Sequence, residues 1–208
     1  MKICGITNWR DARLAVDAGA DALGFNFFPP SPRYIHPREA ARIVRRLPAT
    51  VTKVGVFVNE RPEAVHAIAR AVGLQAVQLH GEETPRRVSE LARLAVVIKA
   101  FRMRPGFALA RLGRYAGAKA FLLDGFRAGL RGGTGKPFDW SVARRASRYG
   151  RIIVAGGLGP ENVAEAIAGA RPYAIDVASG VEARPGKKDP ARLRELMRQV
   201  ERERKKRR

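Results

Sequence analysis

The sequence predicts an α/β fold in which eight strand–helix units close into a single-domain (β/α)₈ TIM barrel of near-minimal length. Three observations carry this: eight short apolar or β-branched runs, helical stretches between them, and a length of 208 residues that eight such units nearly fill. The runs fall at 2–4, 21–25, 53–58, 75–79, 96–100, 120–123, 151–155 and 173–177, each bounded by Gly, Asp, Asn or Pro. Helical periodicity spans 11–18, 37–47, 62–72, 85–94 and 160–168. Several of these open with a proline, whose fixed φ and missing N–H suit the first helical turn. Continuous apolar strands such as Arg151-Ile152-Ile153-Val154-Ala155 suit a parallel sheet buried on both faces, which needs crossover helices. An open doubly wound sheet would also accept βα repeats, but it calls for a G-x-G-x-x-G turn after the first strand, where Cys4-Gly5-Ile6-Thr7 stands. With no low-complexity linker or composition shift, residues 1–208 read as one domain with a basic tail over 202–208.

Forty Lys and Arg against nineteen Asp and Glu give a formal net charge of +21, a field that attracts phosphates, nucleic acid or anionic membrane. The arginines are scattered along helical stretches, as in Arg42, Arg45 and Arg46 or Arg144, Arg145 and Arg148. Solvated helix faces account for most of them. Neither nucleic acid nor a membrane is therefore expected as a partner. No stretch approaches the roughly 20 apolar residues of a membrane span, and the start of the chain lacks a signal-peptide layout, so a cytoplasmic protein is expected. Cys4 is the only cysteine, which excludes an intramolecular disulfide and a thiolate zinc cluster. Arginine in preference to lysine, few Asn and Gln, and a single Cys point weakly to heat adaptation.

In such barrels chemistry sits where strands end. The strand ends present Cys4, the loop 26–34, Asn59, His80, Lys99, Asp124, Gly156-Gly157, and Asp176 followed by Ser179-Gly180. Small residues after strands seven and eight let backbone N–H groups approach an anion, and this fold commonly binds phosphate there. Gly156, Gly157, Ser179 and Gly180 are thus the candidate phosphate cradle. Cys4, at the end of the first strand, is either a small buried hydrophobe or a base or nucleophile, and nearby positive charge would increase its thiolate fraction. No sequence neighbour stands out as its activator. Asp124 ends the run Ala120-Phe121-Leu122-Leu123 and either caps the next loop or serves as a general acid. Strands one and six lie on different sides of a barrel, so Cys4 and Asp124 would face each other across its mouth, as a proton shuttle between carbon and oxygen requires. His80 lines the mouth or is structural. Lys99 fits a purely structural role and is not assigned to the site.

Lys2-Ile3-Cys4-Gly5-Ile6-Thr7, Val54-Gly55-Val56-Phe57-Val58-Asn59, Val77-Gln78-Leu79-His80-Gly81, Gly132-Gly133-Thr134-Gly135, Gly156-Gly157-Leu158 and Asp176-Val177-Ala178-Ser179-Gly180-Val181-Glu182 follow one another along nearly the whole chain. This ordered set resembles the phosphoribosylanthranilate isomerase family of tryptophan biosynthesis. The resemblance implies an Amadori rearrangement of a small phosphorylated substrate with no cofactor and no metal. It implies that Asp124 protonates the ribose ring oxygen and Cys4 removes the C2 proton. It further implies that Arg33 meets the anthranilate carboxylate and that Asp176 lies near the sugar hydroxyls; His80, from its place after the fourth strand, is a further substrate-binding candidate or a structural residue. The glycine-rich loop after Asp124 is of variable type and would close over substrate.

Three rivals fit less well. The histidine-pathway barrel isomerase calls for a carboxylate where Cys4 stands. Indole-glycerol-phosphate synthase depends on lysine chemistry and a longer N-terminal segment. A nucleic-acid-binding barrel would use the charge and need neither Cys4 nor Asp124. An apolar loop around Phe27, Phe28 and Tyr34, if exposed, would favour a homodimer, leaving monomer or homodimer as the expected states.

Overall fold

The computed structural model describes residues 1–104, 106–125 and 140–206. Its elements in chain order are β1 (Lys2–Cys4), α1 (Trp9–Asp17), β2 (Ala22–Asn26), α2 (Pro37–Val44), β3 (Thr52–Phe57), α3 (Pro62–Val72), β4 (Ala76–Leu79), α4 (Pro85–Ala92) and β5 (Val96–Arg102). These are followed by β6 (Ala120–Asp124), α5 (Trp140–Ala146), β7 (Arg151–Ala155), α6 (Val163–Ala170), β8 (Ala174–Val177), a hairpin of β9 (Glu182–Arg184) and β10 (Lys187–Lys188), and α7 (Pro190–Lys205). Strands β1 to β8 form a closed parallel barrel in sequence order, sealed by pairing of β1 with β8 at Lys2↔Asp176 and Ile3↔Val177.

All eight expected strands are present, each within about two residues at either end, because strand length and bounding Gly, Asp or Asn set the limits together. Pro37, Pro62 and Pro85 open α2, α3 and α4 as their ring geometry predicts. Pro160 does not open α6: a turn intervenes and Asn162 occupies the N-cap position. The segment after β5 forms only a 3₁₀ helix, Leu109–Arg114, where glycines at 106, 113 and 117 disfavour a longer helix. The β9–β10 hairpin has no counterpart among the expected elements. Phe27 is buried and stacks on Phe57 with ring centroids 5.3 Å apart, and Phe28 is half-buried, so of the three aromatics expected to form an exposed apolar loop only Tyr34 is open. The motif Gly132-Gly133-Thr134-Gly135, the loop from residue 126 and the last two tail arginines lie outside the described residues, while the tail up to Lys205 continues α7. Among the described residues no helix is long and apolar enough to cross a membrane.

Two apolar layers follow from strand alternation. Val54, Ala76, Ile98, Ala100, Ala120, Leu122, Ile153 and Ala155 fill the barrel, and the alternate residues pack outward against the helices. Lys99, between Ile98 and Ala100, therefore points out of the barrel and is buried beneath the helix shell. Its Nζ donates to Glu83 Oε2 at 2.8 Å, to the Gly81 carbonyl at 2.8 Å and to the Ala100 carbonyl at 3.0 Å. Glu83 in turn accepts from the backbone N–H of Asn59 at 2.9 Å and of Gly81 at 3.0 Å. This brace fixes the loops that leave β3 and β4. Burial alone would raise the Glu83 carboxyl, but the Lys99 charge and hydrogen bonds outweigh it and hold the group below its ordinary value.

Leu122→Ala leaves a void inside the barrel and is expected to cost about 2–5 kcal/mol, read as a lower urea midpoint. The depressed Glu83 carboxyl contributes stability above its unfolded pKa that is lost as pH falls through its folded value. Urea titrations stepped downward from neutral pH should therefore show a shallower acid loss for Glu83→Gln than for wild type. At neutral pH the variant should be less stable, because Lys99 is left buried without its counter-charge.

Candidate active site

Alternation also decides which polar groups reach the barrel interior. Phe121 and Leu123 pack outward while Ala120 and Leu122 face in, so Asp124 continues the inward row of β6. Ile3 packs outward, which turns Lys2 and Cys4 inward from β1. Val77 and Leu79 pack outward in β4, leaving Gln78, followed by His80, on the inner row. In β8, Ile175 and Val177 pack outward and Asp176 faces in.

Cys4 pairs in register with Gly24 of β2. A Cβ on Gly24 would sit 2.6 Å from Cys4 Sγ and 3.1 Å from Lys2 Cε, so the glycine makes room for the thiol and the lysine stem together. Lys2 is 3% exposed, and its Nζ donates to Asp176 Oδ1 at 2.9 Å across the β1–β8 seam. A positive charge thus stands near Cys4 that the sequence did not single out, but it does not by itself set the thiol's ionisation. Burial is the largest influence and pushes the Cys4 thiol up, with Asp176 adding to it, while Lys2 and Lys188 oppose it without cancelling it.

A second network ties the loop after β2 to the β9–β10 hairpin. Arg33 donates from Nε to Glu182 Oε1 at 3.0 Å and from Nη2 to Oε2 at 2.6 Å, a two-pronged pairing that sets the guanidinium plane. Its stem lies over Gly5, where a Cβ would meet Arg33 Cδ at 2.7 Å. Lys188, fully covered, donates to Glu182 Oε1 at 3.1 Å, to the Cys4 carbonyl at 2.6 Å and to the Ala178 carbonyl at 3.2 Å. Burial would raise the Glu182 carboxyl, but the Arg33 hydrogen bonds and the Lys188 charge hold it low.

Across the mouth, His80 Nε2 lies 3.2 Å from Asp124 Oδ2 and its Nδ1 lies 3.0 Å from Gln78 Nε2. Both His80 and Asp124 are partly exposed to the mouth. A cavity of about 280 Å³ adjoins His80, with Lys99, Phe101, Arg102 and Arg111 on its walls.

The loops after β7 and β8 touch. Gly156 and Gly157 take φ of 90° and 65°, and a Cβ on Gly180 would lie 1.8 Å from the Leu158 carbonyl oxygen, which excludes any side chain there. Asn162 braces the first loop, accepting from the Gly159 N–H and donating to the Gly157 carbonyl, both at 2.9 Å. Arg192 holds the second by donating to the Gly180 carbonyl at 2.8 Å. Ser179 opens the 3₁₀ turn Ser179–Val181 beside it.

Cys4 and Asp176 are thus gathered around Lys2, His80 meets Asp124, the four cradle residues lie on adjoining loops, and Arg33 reaches the group through Glu182 and Lys188. Four participants were not expected from sequence: Lys2, Gln78, Glu182 and Lys188. Lys2 and Gln78 stand two residues before Cys4 and His80, a spacing that strand alternation alone would have flagged. Glu182 closes one of the quoted motifs without an assigned role, and nothing in the sequence links it or Lys188 to Arg33. Among the described residues no group of three His, Cys, Asp or Glu is placed to hold a metal ion.

Residues 1–199 match the family model described as N-(5'-phosphoribosyl)anthranilate (PRA) isomerase. The N-(5'-phosphoribosyl)anthranilate isomerase of Citrifermentans bemidjiense is 53% identical over 197 residues, covering 95% of this chain and 94% of that protein. The crystal structure of the phosphoribosyl anthranilate isomerase from Thermotoga maritima superposes with a TM-score of 0.89 at 46% identity, covering 96% of this chain and 97% of that one. A phosphoribosyl anthranilate isomerase solved in complex with reduced 1-(o-carboxyphenylamino)-1-deoxyribulose 5-phosphate superposes at 0.86 with 43% identity, with the same coverage of 96% and 97%. With its motifs in order on a closed eight-stranded barrel and its match running nearly end to end, this chain belongs to the N-(5'-phosphoribosyl)anthranilate isomerase family.

Proposed function

We propose that the protein converts N-(5-phospho-β-D-ribosyl)anthranilate to 1-(2-carboxyphenylamino)-1-deoxy-D-ribulose 5-phosphate by general acid–base catalysis, with Asp124 as acid and Cys4 as base. The observation that carries this division of labour is the inward row: Cys4 on β1 and Asp124 on β6 both end interior-facing rows of one barrel, with a glycine cradle on β7 and β8. Gly156, Gly157, Ser179 and Gly180 receive the phosphate through backbone N–H groups, which anchors the substrate at one end. Arg33, its plane set by Glu182, meets the anthranilate carboxylate at the other.

Asp124 then gives a proton to the ribose ring oxygen, whose bond to C1 breaks as the nitrogen lone pair forms the protonated Schiff base. His80 lies at the acid and orients it. Cys4 as thiolate takes the proton from C2, and the C–H electron pair moves into the C1–C2 bond while the C=N pair returns to nitrogen. The resulting enolamine tautomerises to the ketone by gaining a proton at C1 and losing one from the C2 hydroxyl. Proton transfers alone balance these steps.

The same reading makes the partner a small phosphorylated molecule and places the enzyme in the cytoplasm as a monomer or homodimer. Nucleic acid is disfavoured because the basic residues are dispersed, with Arg13, Arg42, Arg86 and Arg198 on four different helices, each beside a carboxylate, rather than along one stripe.

Turnover of freshly generated phosphoribosylanthranilate, followed by loss of its fluorescence, is expected to fall roughly 10²- to 10⁴-fold in kcat for Cys4→Ser and for Asp124→Asn. Full activity in both variants would remove the mechanism. Arg33→Lys keeps the charge but loses the two-pronged geometry, and steady-state kinetics should show a larger rise in KM than fall in kcat.

A further inference from the structure

We infer that Lys2 is a positioning residue for Cys4: its ammonium, anchored by Asp176 inside the barrel, is the built-in cation that favours the thiolate as Cys4 takes a proton from substrate carbon. This deepens the proposed mechanism and rests on Cys4 being its base. A buried lysine is costly to keep, and a seam between two strands needs no charge to pair. The placement gives the charge a use. Lys2 and Cys4 project from one strand to the same side, and both border the space over Gly24, which has no side chain to separate them. Lys2 reaches Asp176 at 2.9 Å, and its stem and the Cys4 sulfur stand 3.1 Å and 2.6 Å from the point that a Cβ on Gly24 would occupy.

The charged groups around the sulfur come from three strands. Lys2 stands on β1 itself, Asp176 faces it from β8, and Lys188 approaches from β10. Gly24, on the neighbouring β2, contributes none. Lys188 shares its charge with Glu182 and donates to the Cys4 backbone carbonyl, and Arg33 is likewise committed to Glu182. Lys2 is thus the cation that reaches the thiol from its own inner row. Asp176 has two opposed effects, anchoring Lys2 while repelling a thiolate, and these give the two residues opposite signatures.

Because Cys4 is the only cysteine, alkylation of the protein by iodoacetamide reads this thiol alone, without reference to catalysis. Rates measured from about pH 6 to about pH 10 should give a midpoint that rises by roughly one unit or more in Lys2→Met and falls in Asp176→Asn. The double variant Lys2→Met/Asp176→Asn should lie above wild type and below Lys2→Met. Having no unpaired buried charge, it decides the matter if Lys2→Met fails to fold. A midpoint at or below wild type in Lys2→Met, or in the double variant, overturns the role of Lys2, as does a rise in Asp176→Asn. The limb of the kcat/KM profile that Cys4 ionisation sets should move with the Lys2→Met midpoint. If Cys4→Ser keeps full activity, the base assignment fails instead, and the alkylation result still stands on its own.

Discussion

The pairing of β1 with β8 is the constraint on which the rest of the structure depends. It closes the barrel, and at Lys2↔Asp176 it places a cation and a carboxylate from opposite ends of the chain in one register. Without that seam Cys4 would end an edge strand, and the loops after β7 and β8 would have no mouth to face. A closed sheet also removes the exposed edges that an eight-stranded parallel sheet would otherwise present. The inner row and the cradle are thus two consequences of one closure.

Buried charge recurs in this fold, and each instance has a local solution. Lys99 is satisfied by Glu83 and by carbonyls, outside the barrel, where it locks the loops that carry Asn59 and His80. Lys188 is satisfied by Glu182 and two carbonyls and thereby fastens the β9–β10 hairpin to the end of β1. Both are structural in the sense that they hold backbone, and a partner is required because an unpaired buried ammonium costs several kcal/mol. Lys2 differs in facing the interior beside a thiol. Its position on the inner row, rather than its burial, separates it from the other two.

The fold was legible because βα repetition is written in local periodicity: eight apolar runs with turn residues between them leave few alternatives at this length. Strand-end logic singles out Cys4, Asp124, His80 and the Gly156-Gly157 and Ser179-Gly180 pairs as candidates for the same reason, since each lies within three residues of a strand end. Two kinds of feature were missed. Lys2 and Gln78 share an inner row with Cys4 and His80 by alternation, but a polar residue inside a strand reads as part of the ladder rather than of the site. The Arg33–Glu182–Lys188 brace was not readable at all. It joins positions 149 residues apart through a hairpin whose sequence, Glu182-Ala183-Arg184-Pro185-Gly186-Lys187-Lys188, has no alternating apolar face. The ionisation of Cys4 was not readable either, because the burial that pushes its thiol up depends on the closed barrel.

The proposed mechanism requires one spatial relation above all others: a substrate anchored by its phosphate on β7 and β8 spans the mouth so that Cys4 and Asp124 flank its reacting carbons. A crystal structure of this protein with reduced 1-(o-carboxyphenylamino)-1-deoxyribulose 5-phosphate tests that directly. The predicted result places the phosphate against the backbone of Gly157 and Gly180, the sulfur of Cys4 in contact with C2, and the carboxylate against Arg33. A ligand seated elsewhere, or seated in the cradle with C2 out of reach of the thiol, would contradict it.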